Sequence, residues 1–331
     1  MDRIRLGHGS GGRLMHELIA EHFGPAFGIS GYGDSAILDP VQGRLAFTTD
    51  SYVVSPLFFE GGNIGELAVY GTVNDLAVAG AKPLYLSSGF IIEEGFPIED
   101  LKTIVASMAA AAEKAGVRIV AGDTKVVNKG KGDGIFINTA GIGVLPDGVE
   151  ISSSRIRAGD VVVISGEIGS HGMAVIAGRN GISFEPPLLS DTRPLNGLVG
   201  AMTEVTGDIR FMRDPTRGGL ATTLKEAAKE SGKCLRIREA SVPVPDQVRG
   251  ACELLGFDPL YVANEGILVA IVGRGDAEAL VAGMREHPYG ASARIIGEVT
   301  DSPEGMVLLE TPIGGTRMLD MLPGEQLPRI C

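Results

Sequence analysis

The chain has 331 residues, of which 44% are hydrophobic and 21% charged, which suits a globular protein of about two domains, each large enough for its own core. A formal charge of −12 argues against a nucleic-acid partner or an anionic membrane surface, because neutralising phosphates needs a basic patch. Forty-eight glycines, 5% aromatics and no tryptophan point to cores of Val, Ile, Leu and Ala joined by tight turns.

The start, MDRIRLGHGS, has no apolar leader segment, and no run approaches the ~18 apolar residues of a membrane span. Cys234, Cys252 and Cys331 lie far apart with no CxxC spacing, which disfavours a zinc knuckle or a disulfide framework. The expected location is the cytoplasm.

Taken in order, residues 13–23 read as a helix, 44–49 as a strand, 63–79 as a helix, 84–92 as a strand and 98–115 as an Ala-rich helix. Strands follow over 117–121 and 135–144. Residues 146–160, PDGVEISSSRIRAGD, combine Pro, Gly and a Ser run and form the best domain boundary. Beyond it, VVVISG (161–166) has a buried-strand pattern. Helices are predicted near 170–179, 194–206, 216–231 and 276–286, with strands over 261–272 and 293–300. The expected fold is mixed α/β (α+β) in two domains, 1–150 and 151–322, followed by a flexible tail, 323–331. No repeat period is evident.

Residues 7–12, GHGSGG, match GxGxxG literally, but a dinucleotide fingerprint needs a buried strand before it, and only DRIRL precedes. A flexible arm offering the backbone N–H groups of Gly9, Ser10, Gly11 and Gly12 to phosphates is the alternative. No GxxxxGK[ST] loop occurs.

Five aspartates recur in similar settings: Asp34, Asp50, Asp75, Asp123 and Asp214. Asp50 and Asp123 each follow an apolar run and precede a hydroxyl residue, Ser51 and Thr124. Hard cations such as Mg²⁺ take such carboxylates together with substrate phosphates, although Asp-Ser and Asp-Thr pairs also serve as turns and helix caps. Asp75 is the only charge between Leu67 and Ala81, so a partner or a metal is expected for it. Glu265 is likewise the only charge in PLYVANEGILVAIVG (259–273). An acid so placed has its charged form disfavoured, which suits a general acid or base, or else it pairs with an Arg at a strand edge. Lys125, two residues after Asp123, is in reach of a phosphate there or is a solvated charge.

The sequence ends in Pro328-Arg329-Ile330-Cys331. A thiol on the end of a chain is either an incidental tail residue or a nucleophile that must visit two places. A prenylation box would need the cysteine four from the end. Residues 323–331 span roughly 30 Å when extended, and two prolines favour that form.

TTDSYVVSPLFFEGGNIGELAVYGTVNDLAVAGAKP (48–83), AGDTKVV (121–127) and RDPTRGGL (213–220) resemble, in family order, the signatures of the ATP-binding superfamily of aminoimidazole ribonucleotide synthetase and selenophosphate synthetase. The resemblance implies that Asp34, Asp50, Asp75, Asp123 and Asp214 bind Mg²⁺ ions bridging ATP. Gly9, Ser10, Gly11, Gly12, Asp50, Asp75, Asp123 and Thr124 would bind the nucleotide. It also implies a homodimer whose N-terminal domains pair in a shared β-barrel. A selenophosphate synthetase would carry Cys or selenocysteine in the Gly-rich arm, whereas the first cysteine here is Cys234.

The PRIC ending is instead similar to that of the carbamoyl dehydratases of hydrogenase maturation. On that resemblance, a carbamoyltransferase, HypF, loads Cys331. ATP then dehydrates the S-carboxamide to a thiocyanate, with Glu265 as base and Lys125 as phosphoryl-neutralising cation. The cyanide passes to iron on a HypC–HypD complex, for a nickel-iron hydrogenase. A small-molecule kinase or synthetase of the same superfamily, or a non-catalytic scaffold with its fold, are the rival expectations.

Overall fold

The computed structural model describes residues 3–29, 35–322, 324 and 327–331. Asp34 and three tail positions, 323, 325 and 326, lie outside the described residues. Two sheets dominate. The first half contains α1 (Arg13–Leu18), α2 (Gly24–Phe27), β1 (Arg44–Tyr52), a small ribbon of β2 (Phe58–Phe59) and β3 (Gly62–Asn63), α3 (Ile64–Val78), β4 (Lys82–Glu93), α4 (Ile98–Ala115), β5 (Arg118–Val127) and β6 (Ile135–Leu145). The second half contains β7 (Val161–Ile164), α5 (Ser170–Arg179), α6 (Asn196–Val205), β8 (Ile209–Arg213), α7 (Gly219–Ser231), β9 (Cys234–Arg238), α8 (Asp246–Leu255), β10 (Val269–Val272), α9 (Ala277–Glu286), β11 (Arg294–Thr300), β12 (Val307–Glu310) and β13 (Thr316–Leu319).

The first sheet runs β1-β6-β4-β5, antiparallel except for the parallel β4–β5 pair. One face is covered by α3 and α4. In α4 the buried positions Leu101, Ile104, Val105, Met108, Ala111, Ala112 and Ala115 recur at helical spacing, and Gly116 closes the helix in the left-handed region. Asn63 caps α3 by accepting the Gly65 N–H at 2.8 Å. Nearly all of α3 is buried, because it lies between this sheet and the second half of the chain. The other face of the sheet exposes Leu45, Phe47 and Ile91.

The second sheet runs β13-β12-β9-β11-β7-β10-β8 and is covered on both sides. Strand alternation divides its residues between two cores. Val162, Ile164, Val269 and Ile271 face α7, while Val161, Val163, Ala270 and Val272 face α6 and α9.

Three expectations need correction. The strand predicted over 261–272 exists only as β10, because residues 262–268 form a loop whose N–H groups bond to the Asp191 and Ser165 side chains and to the Pro215 carbonyl. The strand predicted over 117–121 continues to Val127, so AGDTKVV is itself strand. The helix predicted over 13–23 breaks into α1 and a π-type turn, Ile19–Phe23, ahead of Gly24-Pro25. Strands β8, β9, β12 and β13, of four or five residues each, are too short for a period to register, whereas helix α8 was not read although Val248, Ala251, Cys252 and Leu255 recur at helical spacing.

Candidate active site

A cavity of about 420 Å³ lies where the end of β1, the middle of α3, the β8–α7 loop and the 262–268 loop converge, and Cys331 lines it. Each element supplies polar groups for a local reason. β1 ends in Asp50 and Tyr52, both on its helix-covered side. Asp75 projects from α3 toward β1, where the Thr48 hydroxyl donates to its Oδ2 at 2.8 Å. Gly71, one turn earlier, leaves room for the Tyr52 hydroxyl, which a Cβ at that position would overlap.

Asp214 follows β8, and Arg213 beside it is spent on Glu226. Glu265 is held by its main chain. Its N–H donates to Asp191 Oδ1 at 3.2 Å and its carbonyl accepts from Asn74 Nδ2 at 3.2 Å. Asn74 also accepts the Leu195 N–H at 2.7 Å, so the residue beside Asp75 ties α3 to the second half of the chain.

The electrostatics follow from this concentration of acid. Burial pushes the Asp75 carboxyl up to about 7, with repulsion from Asp214 and then Asp50 adding to it. Burial likewise raises Asp214 to about 6, opposed by a backbone hydrogen bond. Glu265 is 2% exposed, and burial, then Asp214, Asp191, Asp50 and Asp75, raise it well above the carboxylate range. Its Oε1 has no hydrogen-bond partner. An orphaned buried oxygen among mutually repelling carboxylates is an environment that a hard cation relieves. Among the described residues no three acidic, imidazole or thiol side chains close around one point. Oxygens from a substrate would have to complete a Mg²⁺ shell, as that ion commonly requires.

The tail enters this cavity from the first half's surface. The Val53 N–H donates to the main-chain oxygen of Cys331 at 3.0 Å, and the Ser55 N–H to that of Arg329 at 3.2 Å. Ile330 is buried in the first core. Arg329 has φ 55°, the left-handed region, held by its Nε donating to Val53 O at 2.9 Å and by an ion pair with Asp133. His171 Nε2 lies 2.9 Å from the Ile330 carbonyl, and Arg179 donates to the carbonyls of Pro328 and Arg329 at 2.9 Å each. His171, Arg179, Asp191 and Asn74 were not read from the sequence. A lone His or Arg has no spacing signal, and only Asn74, adjacent to Asp75 in an apolar run, stood in a segment that drew attention.

The remaining sequence candidates lie elsewhere. A second cavity, about 460 Å³, opens at the β5 edge between Phe23, Phe27 and Phe90, with Gly11, Asp123 and Thr124 at its rim. Gly9 packs on the β5 backbone at Val126, and Ser10 donates to the Gly7 carbonyl at 3.1 Å. Gly12 leads into α1. Register places Asp50, Thr139 and Ser88 on the helix-covered face, whereas Asp123 and Lys125 fall on the opposite face beside Ile91. Lys125 Nζ is 2.9 Å from Asp123 Oδ1, which lowers the Asp123 carboxyl. Three strand spacings, about 14 Å, separate the β1 and β5 groups. Within one chain, Cys331, Glu265, Asp50, Asp75 and Asp214 meet. Asp123, Thr124, Lys125 and the arm do not join them.

Residues 32–145 match the family model described as AIR synthase related protein, N-terminal domain, and residues 157–310 its C-terminal domain. A relative from Cupriavidus necator named carbamoyl dehydratase HypE is 54% identical, over 99% of this chain and 95% of its own. The chain belongs to the carbamoyl dehydratase HypE family. It therefore shares that enzyme family's two-domain α/β fold. A crystal structure of hydrogenase maturation protein HypE in complex with ATP superposes with a TM-score of 0.94 at 49% identity, covering 98% of this chain and 99% of that one. One titled as a HypE–HypF complex has a TM-score of 0.82 at 49% identity, covering 94% and 100%. Among the described residues no helix is long and apolar enough to cross a membrane.

Proposed function

We propose that this chain carries a carbamoyl group on Cys331 and dehydrates it, with ATP and Mg²⁺, to an S-linked thiocyanate that supplies the cyanide ligand for hydrogenase iron. The observation that carries this reading is the docking of the tail: Cys331 lines one cavity with Glu265, Asp50, Asp75 and Asp214. A HypE structure with ATP and the family's dehydratase names support it.

Water does not leave an amide unaided. ATP would phosphorylate the carboxamide oxygen, and a bound Mg²⁺ would supply the positive charge that offsets the transferred group. Asp50, Asp75 and Asp214 are the residues suited to hold the ion. The nitrogen must lose both protons, one as the imidate forms and one as phosphate departs with the original oxygen, leaving the C≡N triple bond. Glu265, when ionised, is the base at that nitrogen, and a carboxylate made reluctant to ionise by burial takes up a proton readily. Val53, His171 and Arg179 hold the tail by its main chain.

The domains divide at 146–160, and the end of the tail, residues 327–331, swings outward for loading by a carbamoyltransferase of the HypF kind. A HypC–HypD iron carrier would then receive the cyanide, in the cytoplasm. The sheet face bearing Leu45, Phe47 and Ile91 supports a homodimer in which two N-terminal sheets close a barrel. Setting the β1 edge of one chain beside the β5 edge of the other brings Asp123, Thr124, Lys125 and the arm toward the acidic cavity. Phosphate release from ATP tests the reading. It should require the loaded tail and stop at one phosphate per chain, whereas a kinase of free metabolites would keep turning over without the tail and a scaffold would release none.

A further inference from the structure

Asp191 links the tail's seat to the base through backbone N–H groups. Buried at 8% exposure, its Oδ1 accepts the N–H groups of His171 and Glu265 at 3.1 and 3.2 Å, and its Oδ2 accepts that of Gly266 at 3.0 Å. The fit is close: a Cβ on Gly266 would overlap the Asp191 carbonyl. His171, anchored there at the start of α5, reaches the other way. Its Nε2 lies 2.9 Å from the Ile330 carbonyl and its Nδ1 2.9 Å from the Ser190 hydroxyl. A carbonyl only accepts, so Nε2 carries the hydrogen and Nδ1 accepts from Ser190. The ring is fully buried and packs edge-on against Phe59.

We infer that His171 and Asp191 are a coupled pair of positioning residues. The imidazole seats the residue before Cys331, and the carboxylate ties that seat to the backbone of Glu265, so tail and base move into register together. Arg179 grips the tail as well, but on exposed carbonyls farther from the thiol. The inference rests on the reading that Glu265 serves a carboxamide on Cys331, and on the precision that reacting groups require.

The test uses His171→Phe, which keeps a buried ring and loses the donor, His171→Gln, which restores a donor near Nε2, and Asp191→Asn. One readout is the rate at which an aromatic disulfide reagent attacks Cys331 in unloaded protein, since Cys234 and Cys252 are buried. The other is single-turnover dehydration of the loaded tail. His171→Phe, shown folded by its melting transition, should raise thiol reactivity and slow dehydration each about tenfold, with His171→Gln recovering most of both. Combining His171→Phe with Asp191→Asn should slow dehydration no more than the worse single change. Unchanged thiol reactivity in His171→Phe, no recovery in His171→Gln, or losses that multiply in the double variant would overturn the inference. A wild-type protein that never dehydrates its loaded tail would instead sink the functional reading, and the thiol measurement would still decide the seat.

Discussion

The main-chain oxygen of Cys331 accepts the N–H of Val53 at 3.0 Å, which lays Cys331 beside the end of β1, where it lines the cavity with the acids. Main-chain hydrogen bonds, the Arg329 guanidinium on the Val53 carbonyl and the buried Ile330 together fix the tail's register against β1. Two alanines appended after Cys331 would have to run into the cavity. They should slow dehydration of the loaded tail by at least tenfold while nucleotide affinity, measured by calorimetry, stays the same. Full activity would show the placement to be incidental.

Glu265→Gln is nearly isosteric and keeps the backbone bonds to Asp191 and Asn74. The variant should fold, accept carbamoyl on Cys331 and stall there, with dehydration slower by about 10²–10⁴-fold. In the wild type, burial raises this carboxyl, so single-turnover rate should climb with pH as the acid ionises. A flat pH profile together with an active Gln variant would remove Glu265 from the chemistry.

The part of this site legible in the sequence was its charge: Asp75 and Glu265 stood out as isolated acids in apolar runs, and both line the cavity. What could not be read was which acids share a space. Glu265 looked like a strand residue, and only the fold shows a loop held by Asn74 and Asp191. Asp123 and Asp50 each follow an apolar run and precede a hydroxyl residue, yet strand order and parity put them on opposite faces about 14 Å apart. Pattern reading located α3 and the β7 core strand from unbroken apolar runs and α4 from its helical spacing. It missed β8 and β9, which are five residues each and too short for a period to register.

Asp75 also predicts a pH dependence of stability. Its folded value, about 7, lies above the ordinary 3.8, so its contribution is fully present below pH 4 and lost as pH rises through 7. Without divalent cation, the melting temperature should fall across that window after allowance for other groups, and Asp75→Asn should flatten the fall. The same variant should lose Mg²⁺-dependent ATP binding. Unchanged nucleotide affinity would place Asp75 in a purely structural role.

Separation of the acids predicts complementation. If the nucleotide site draws on both chains, Asp75→Asn and Asp123→Asn proteins are each inactive, and refolding them together should restore about a quarter of the wild-type sites, through mixed dimers with one intact site. No recovery from a mixture shown to exchange subunits would confine the site to one chain.

Mass spectrometry of the tail peptide addresses the central claim, that Cys331 carries the group being dehydrated. With carbamoyl phosphate, ATP and the transferase, the wild-type peptide should first gain one carbamoyl group and then lose one water, and Cys331→Ala should do neither while still binding ATP. A modification found on Cys234 or Cys252, or a Cys331→Ala protein that still yields cyanide, would contradict it.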